Sequence, residues 1–122
     1  MRIDNDPKLD FDDVLIRPKR SESPSRASVV LQREYRFLNS GASWRGIPIV
    51  ASNMDTVGTM AMADALGPQM MTCLHKYHSE ENLVEFFKAE VHKESAIFTL
   101  GIKDDEFDKL QTVRSRADFR FV

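Results

Sequence analysis

The stretch IPIVASNMDTV, residues 47–57, contains the first strand and loop of the predicted fold. Its first five residues are all apolar, and a short run of this kind is typical of a strand buried on both faces of a sheet. Polar residues follow at once. We therefore predict a buried strand over residues 47–51 and a loop that begins at Ser52.

Three more apolar runs follow, at residues 70–74, at 96–100 and from 119 onward, so strand starts recur about every 23 to 26 residues. Segments with helical character fill the intervals. Because parallel neighbours need a crossover connection, strands that alternate with helices predict βαβ units and a parallel α/β sheet.

Three segments have the pattern of helices. The first is predicted over residues 60–66, where Gly67 and Pro68 end it. Ser79 caps the second helix, and Asp104 opens the third. The apolar face of the second helix comprises Leu83, Phe86, Phe87 and Val91. The inward residues of the third are predicted to be Phe107, Leu110 and Val113.

The spacing of the units is compatible with two architectures. A regular βα unit of this size suits a (β/α)8 barrel, although such a barrel typically needs about 250 residues. The chain has 122 residues and shows about three and a half units. An open doubly wound sheet fits that length equally well, so the spacing leaves both architectures open.

The segment before the first strand, residues 1–46, is predicted to be irregular. Residues 11–16 are predicted to form a short strand or turn, and the polar segment 19–28 is predicted to be a mobile loop. A hairpin is predicted from residues 29–31 and 35–37, with the turn between them.

Composition excludes several classes of protein. The 17 basic and 19 acidic residues give a formal net charge of −2, which argues against a general binder of nucleic acids or membrane surfaces. Cys73 is the single cysteine, which excludes an internal disulfide and favours a reducing compartment. No apolar run approaches the roughly 20 residues of a membrane span, and the charged start lacks the pattern of a signal peptide. We therefore expect a cytoplasmic domain.

Two motifs carry a resemblance to a known superfamily. FDDVLIRPKRS at residues 11–21 resembles the opening segment that IMP dehydrogenases and GMP reductases share, and residues 47–57 resemble their first barrel strand and loop. The resemblance covers essentially the whole chain and fades after residue 92. It implies the amino-terminal half of a (β/α)8 TIM barrel. Residues 1–46 would then be an N-terminal segment with a cofactor-side loop, and 47–122 the first three and a half βα units.

Three features resemble the reductase more than the dehydrogenase. Gly58 and Thr59 follow the loop after strand one, where dehydrogenases usually have Thr-Glu. The segment HKYHS at 75–79 is similar to the reductase's His-Lys-His-Tyr-Ser, apart from an exchange of its third and fourth residues. Only residues 92–95 separate the second helix from the third strand. That connection leaves no room for the regulatory nucleotide-binding module of dehydrogenases.

The resemblance implies an NADPH-dependent GMP reductase, an oxidoreductase of purine metabolism that converts GMP to IMP and ammonia and assembles as a homo-oligomer, a tetramer. The family's catalytic cysteine would lie beyond the chain end, so we expect this fragment to be inactive in isolation. An IMP dehydrogenase-like fragment and a non-catalytic subunit or binding fragment stay open as alternatives. An unrelated α/β signalling domain would need an acidic cluster, which Asp55 alone does not supply.

Cofactor contacts are also implied by the resemblance. It places Ser25 and Arg26, in the basic opening loop, at the NADPH, where the planar fork of an arginine suits a phosphate. It makes Lys76 a point charge for a cofactor phosphate. Considered singly, such charges are more often solvated surface groups.

Substrate contacts are expected from the loop after strand one, which lies beside the bound nucleotide in this superfamily. Ser52 and Met54 would contact the ribose-phosphate and the base, while Asn53 and Asp55 would brace the loop by hydrogen bonds. A methionine considered alone is more often part of the core.

The histidines and the cysteine have simpler interpretations. His75 and His78 lack a convincing metal spacing, so no metal site is predicted and a capping or packing role is expected for both. Cys73 lies within an apolar strand. It is predicted to be a buried, inert thiol whose pKa is raised by its surroundings.

Overall fold

The computed structural model describes residues 5–122, and the first four residues of the predicted irregular segment lie outside the described residues. Two 3₁₀ turns, Phe11–Asp13 and Arg26–Ser28, interrupt residues 5–32, which are exposed and otherwise without regular structure. The expectation of a short strand or turn at residues 11–16 is therefore met by a turn.

An antiparallel hairpin is present, but it is displaced from its predicted position. It consists of β1 (Arg33–Arg36) and β2 (Ser43–Gly46). The prediction that residues 29–31 form its first strand is wrong. The connection bends at Gly41, whose φ of 67° lies in the left-handed region that glycine adopts without steric cost.

The predicted parallel sheet is confirmed. β3 (Val50–Ala51), β4 (Met71–Cys73) and β5 (Ala96–Ile97) pair in parallel in this order, and Phe121 adds a parallel bridge to β5. Each strand is shorter than its apolar run. In the first run Pro48 contributes to this, because it lacks the N–H that a ladder hydrogen bond needs.

The first helix confirms its prediction at both ends. α1 spans Met60–Leu66, and the hydroxyl of Thr59 caps it by accepting from the backbone N–H of Met62 at 3.1 Å. Gly67, with a φ of 55°, ends it. The helix packs against β4, so the first βα unit is closed.

The second predicted helix is in fact two helices. They are α2 (Glu80–Phe86), capped by Ser79 as predicted, and α3 (Glu90–Ser95). Val91 does not continue the buried face, since it is 39% exposed, and residues 92–95 are helical rather than a plain connection. The imidazole of His92 accounts for the break, because its Nδ1 lies 2.7 Å from the last carbonyl oxygen of α2 and satisfies that helix end.

The third predicted helix, α4, spans Asp104–Arg116. Val113 is fully buried and Leu110 packs at the edge of the core, as predicted. Phe107 is not inward, since 49% of it is exposed. With 3.6 residues per turn, six residues separate the directions of Phe107 and Val113 by about 120°, so both cannot face the same core.

The core lies between the parallel sheet and the helices, and Phe119 is at its centre. Its ring stacks on Phe87 with centroids 4.7 Å apart and on Phe98 with centroids 5.2 Å apart. The other buried members are Ala63, Leu74, Leu83, Val84, Phe86, Ala96 and Val113. Among residues 5–122, no helix combines the length and the apolar character that crossing a bilayer requires.

Candidate functional site

Two loops meet where β3 and β4 end. The loop after β3 covers residues 52–58, and the loop after β4 covers 75–79. The carbonyl oxygen of Gly58 joins them, because it accepts the backbone N–H of His75 at 2.8 Å and lies 3.4 Å from Nε2 of His78. Carboxyl ends of parallel strands are the usual position of active sites in α/β folds.

Gly58 is required by this close approach. A Cβ at that position would lie 2.1 Å from the carbonyl oxygen of Cys73 and 2.8 Å from that of Ser52. Distances below 3.0 Å to backbone atoms are sterically forbidden, so no other residue fits without moving the loop or the strand end. The junction of the two loops therefore depends on the absence of a side chain here.

Lys76 projects from the second loop with 46% of its side chain exposed. Its ammonium lies 3.5 Å from a carboxylate oxygen of Glu106 on α4 and 5.7 Å from the centre of the Tyr77 ring. An exposed ion pair of this length contributes little to stability. The ammonium is therefore held loosely and can take another anionic partner.

Lys109, also on α4, makes a tighter contact with the same loop. Its ammonium donates to the carbonyl oxygens of Lys76, at 2.7 Å, and of His78, at 2.6 Å. Sequence reasoning missed Lys109 and Glu106. Their spacing of three residues on one helix was visible in the sequence, but the loop they contact lies about 30 residues earlier.

The two histidines of the loop stack on each other, with ring centroids 3.7 Å apart. Partial burial lowers the pKa of His78 below its ordinary value, and the neighbouring His75 and Lys109 lower it further, while the Gly58 carbonyl opposes them. Nδ1 of His75 is buried without a hydrogen-bond partner in the described part of the chain. Within residues 5–122 no group of histidine, cysteine and carboxylate side chains is arranged to hold a metal ion.

The first loop is held by its backbone. The carbonyl oxygen of Met54 accepts the N–H groups of Val57 and Gly58, at 2.9 and 2.7 Å. The expectation that Asn53 and Asp55 brace the loop is wrong for the described residues, where both are exposed and neither side chain makes a hydrogen bond. The backbone bonds replace them, because they already close the turn.

The two predicted substrate residues lie on this loop. Ser52 is exposed and Met54 is 59% exposed, so the methionine does not belong to the core. Their side chains are accessible from solvent beside the second loop. The structure thus brings Ser52, Met54 and Lys76 to one edge of the sheet.

The predicted cofactor residues of the opening segment lie elsewhere. The hydroxyl of Ser25 accepts the N–H of Ala27 at 3.2 Å, and its carbonyl accepts the hydroxyl of Ser28 at 2.6 Å. Arg26 begins the resulting 3₁₀ turn and is exposed. In the part of the chain that is described, no hydrogen bond or ion pair joins this turn to Lys76.

Cys73 is the last residue of β4 and is half-buried. Burial raises the pKa of its thiol, as predicted, and a raised pKa keeps the thiolate fraction small at neutral pH. The expectation of full burial was too strong, because the strand ends at this residue. The thiol is nevertheless poorly suited to act as a nucleophile.

Comparison with known proteins agrees with the motifs. The chain is 47% identical over 120 residues, 95% of its length, to the GMP reductase of Klebsiella pneumoniae. It is 50% identical over 116 residues to the GMP reductase of Caenorhabditis elegans, and 46% identical over its whole length to that of Tolumonas auensis. The chain is a homologue of the GMP reductases.

The match covers nearly all of the chain but only part of its relatives. Residues aligned to the Klebsiella pneumoniae reductase make up 34% of that protein, and the corresponding share of the Caenorhabditis elegans reductase is 32%. The chain therefore spans about a third of the length of the curated reductases it matches. No protein-family model matches the chain.

Proposed function

We propose that the chain forms part of the nucleotide and cofactor sites of an NADPH-dependent GMP reductase, in which GMP loses its exocyclic amino group as ammonia and becomes IMP. One observation carries the proposal. The loops 52–58 and 75–79 join at the Gly58 carbonyl beside an exposed Lys76, in a chain 46% to 50% identical to GMP reductases.

The residues of the chain fit a phosphate-bearing cofactor. NADPH supplies the hydride when it is bound. Lys76 offers an exposed ammonium with one carboxylate partner at 3.5 Å, which a phosphate could replace. The guanidinium of Arg26 makes no ion pair in the described part of the chain, so its fork is available for bidentate contact. Ser25 would present this arginine by capping its turn.

The substrate would lie against the first loop. Ser52 and Met54 are exposed there, and the N–H groups of Val57 and Gly58 close the turn of the loop by donating to the Met54 carbonyl. A side chain that is accessible and held on a fixed backbone can position a ligand without rearrangement. We assign the ribose-phosphate and the base to these two residues.

Residues 47–122 are proposed to form the first units of a (β/α)8 barrel, preceded by the segment 1–46. The sheet order follows chain order without reversal from β3 to Phe121. Val50, Met71 and Ile97 line a cavity together with residues 37–40 and 120–122, and among the described residues no helix contributes to its lining. This favours a sheet with helices on one face only. A doubly wound sheet would have helices on both faces.

The proposal also includes a homo-oligomer in the complete enzyme and a cytoplasmic location, both supported by the resemblance alone. The 122-residue chain itself should show no GMP-dependent oxidation of NADPH. Its single cysteine, Cys73, has a raised pKa and lies on a strand end rather than on an accessible loop. If the isolated chain were active and Cys73→Ser abolished that activity, this assignment of the thiol would be wrong.

A graft tests the activity directly. Residues 1–122 would replace the equivalent segment of the Klebsiella pneumoniae GMP reductase, and NADPH oxidation would be followed with and without GMP. We expect GMP-dependent turnover, and we expect Lys76→Ala and Arg26→Ala to raise the KM for NADPH about tenfold to a hundredfold, the usual effect of losing a charged hydrogen bond. The KM for GMP should stay nearly constant. Unchanged NADPH kinetics in both variants would refute the cofactor assignment.

Two assays cover the alternatives. In the first, the same residues would be grafted into an IMP dehydrogenase. Reduction of NAD in the presence of IMP by this graft, together with an inactive reductase graft, would favour the dehydrogenase. A non-catalytic subunit would co-elute with a full-length GMP reductase and change its activity without contributing residues to turnover.

A further inference from the structure

Lys109 lies in the middle of α4 and contacts the loop after β4 at two points. Its ammonium donates to the carbonyl oxygens of Lys76 and His78, at 2.7 and 2.6 Å. These two residues flank Tyr77, so a single cation fixes the carbonyl groups on both sides of it. Hydrogen bonds from a charged donor are shorter and stronger than neutral ones, so this contact restrains the loop more than a neutral bond would.

The same face of α4 also contacts the head group of Lys76. Glu106 lies three residues before Lys109, a spacing that puts two side chains on neighbouring positions of a helix surface. Its carboxylate lies 3.5 Å from the ammonium of Lys76. The helix therefore holds the loop at its backbone through Lys109, while Glu106 makes only a loose contact with the lysine side chain.

We infer that Lys109 is a positioning residue that directs Lys76 toward a cofactor phosphate by holding the backbone on both sides of Tyr77. This inference rests on the proposed function of Lys76. Lys109 has no need to touch the ligand, because its ammonium already donates to two carbonyl oxygens. Holding these two carbonyls restrains the backbone from which the side chain of Lys76 leaves the loop.

The experiment is a double-mutant cycle in the graft with the Klebsiella pneumoniae reductase. Lys109→Met, Lys76→Ala and the double variant would be compared by their KM for NADPH, KM for GMP and kcat. Lys109→Met should raise the KM for NADPH about tenfold, the usual effect of losing a charge-assisted hydrogen bond, with little change in kcat or in the KM for GMP. Because it acts through Lys76, it should add little in the Lys76→Ala background.

Two controls separate positioning from general stabilisation. Lys109→Arg keeps a cation that can donate to two carbonyls, so its KM for NADPH should stay close to that of the parent. Lys88→Met removes an exposed lysine that pairs with Glu85 on α2, and it should leave all three kinetic constants unchanged. A rise in KM for NADPH that was the same with and without Lys76 would show a merely structural role and overturn the inference.

The outcomes also distinguish this inference from the proposed function. If Lys76→Ala raises the KM for NADPH and Lys109→Met does not, Lys109 is no positioning residue, while the function of Lys76 stands. If Lys76→Ala has no effect, the assignment of Lys76 to the cofactor fails and the inference fails with it. Should Lys109→Met not fold, Lys109→Gln is used in the same cycle, and additivity with Lys76→Ala would be decisive against the inference.

Discussion

The imidazole rings of His75 and His78 stack with their centroids 3.7 Å apart and their planes inclined by 16°. The ammonium of Lys109 is nearby, bound to the carbonyl of His78. Two protonated rings at this separation would repel each other, and partial burial weakens solvation of the charge. These surroundings favour a neutral His78. The Nε2 atom of His78 lies 3.4 Å from the carbonyl oxygen of Gly58, which is a long and weak contact.

Acidification should therefore destabilise the fold through His78. Burial first, and then His75 and Lys109, lower the pKa of His78 below its ordinary value of 6.5 in the folded state. The unfolded chain consequently binds the proton first as pH falls below that value, so the free energy of unfolding decreases from there until the folded-state pKa is passed. Chemical denaturation of the grafted enzyme at several pH values between neutral and mildly acidic would measure this slope.

His78→Gln is the matched variant, because it keeps a polar side chain but cannot titrate. In the graft, it should lose less stability than the unmodified graft over the same pH interval. All other groups are the same in both proteins, so their contributions cancel in the difference. Identical slopes for the two proteins would rule out a contribution from His78.

Replacing Gly58 by alanine should strongly destabilise the chain. The added Cβ would stand 2.1 Å from the carbonyl oxygen of Cys73, a backbone atom at a strand end that cannot move alone. Overpacking of this kind costs typically about 1–3 kcal/mol and occasionally more. Gly101→Ala is the control, because its Cβ would meet only the flexible side chain of Glu106 at 3.5 Å. Equal midpoints of denaturation for the two variants would contradict the steric argument.

Removing the charge of Glu106 should strengthen cofactor binding in the grafted enzyme. The carboxylate lies 3.5 Å from the ammonium of Lys76, so an incoming phosphate must compete with it and is also repelled by it. Glu106→Gln keeps the shape and removes both effects, so the KM for NADPH should fall. The direction is opposite to that expected for Lys109→Met, although both residues lie on one face of α4. A higher KM in Glu106→Gln would mean that the carboxylate helps to place the lysine.

Much of the fold follows from local patterns in the sequence. The four apolar runs mark three parallel strands and the bridge at Phe121, since buried parallel strands tolerate few polar residues. α1 ends at Gly67 because that residue adopts a φ of 55°. The cap of α2 was equally predictable. The hydroxyl of Ser79 accepts the N–H of Asn82 within the first turn, as serine usually does at a helix start.

The features that sequence reasoning missed depend on distant partners. At the break before α3, the imidazole of His92 contacts the last carbonyl oxygen of α2. Its other ring nitrogen lies 2.8 Å from a carboxylate oxygen of Asp64 on α1. The contact of Lys109 with the loop after β4 joins residues more than 30 positions apart. Local periodicity carries no information about such contacts. Their residues could only be recognised once the sheet had brought β4 and α4 together.

The face of the parallel sheet away from the helices should make the isolated chain associate. Val50 is 49% exposed at the outer strand β3, which pairs only with β4 in the described structure. Nearby, Leu38 is 96% exposed, and both residues line the same cavity as Ile97. Unpaired strand edges and wet apolar surface both favour pairing with another chain.

We therefore expect the 122-residue chain to be oligomeric, molten or aggregating at micromolar concentration, as measured by sedimentation velocity. Val50→Lys places a charge on the exposed edge and should reduce association, because a buried charge there would have to be desolvated. Ile102→Lys changes an equally apolar but separate surface residue and should have no such effect. A monodisperse parent chain with a sharp cooperative thermal transition would show that the uncovered face is stable in water. That result would favour an open sheet complete in itself over part of a barrel.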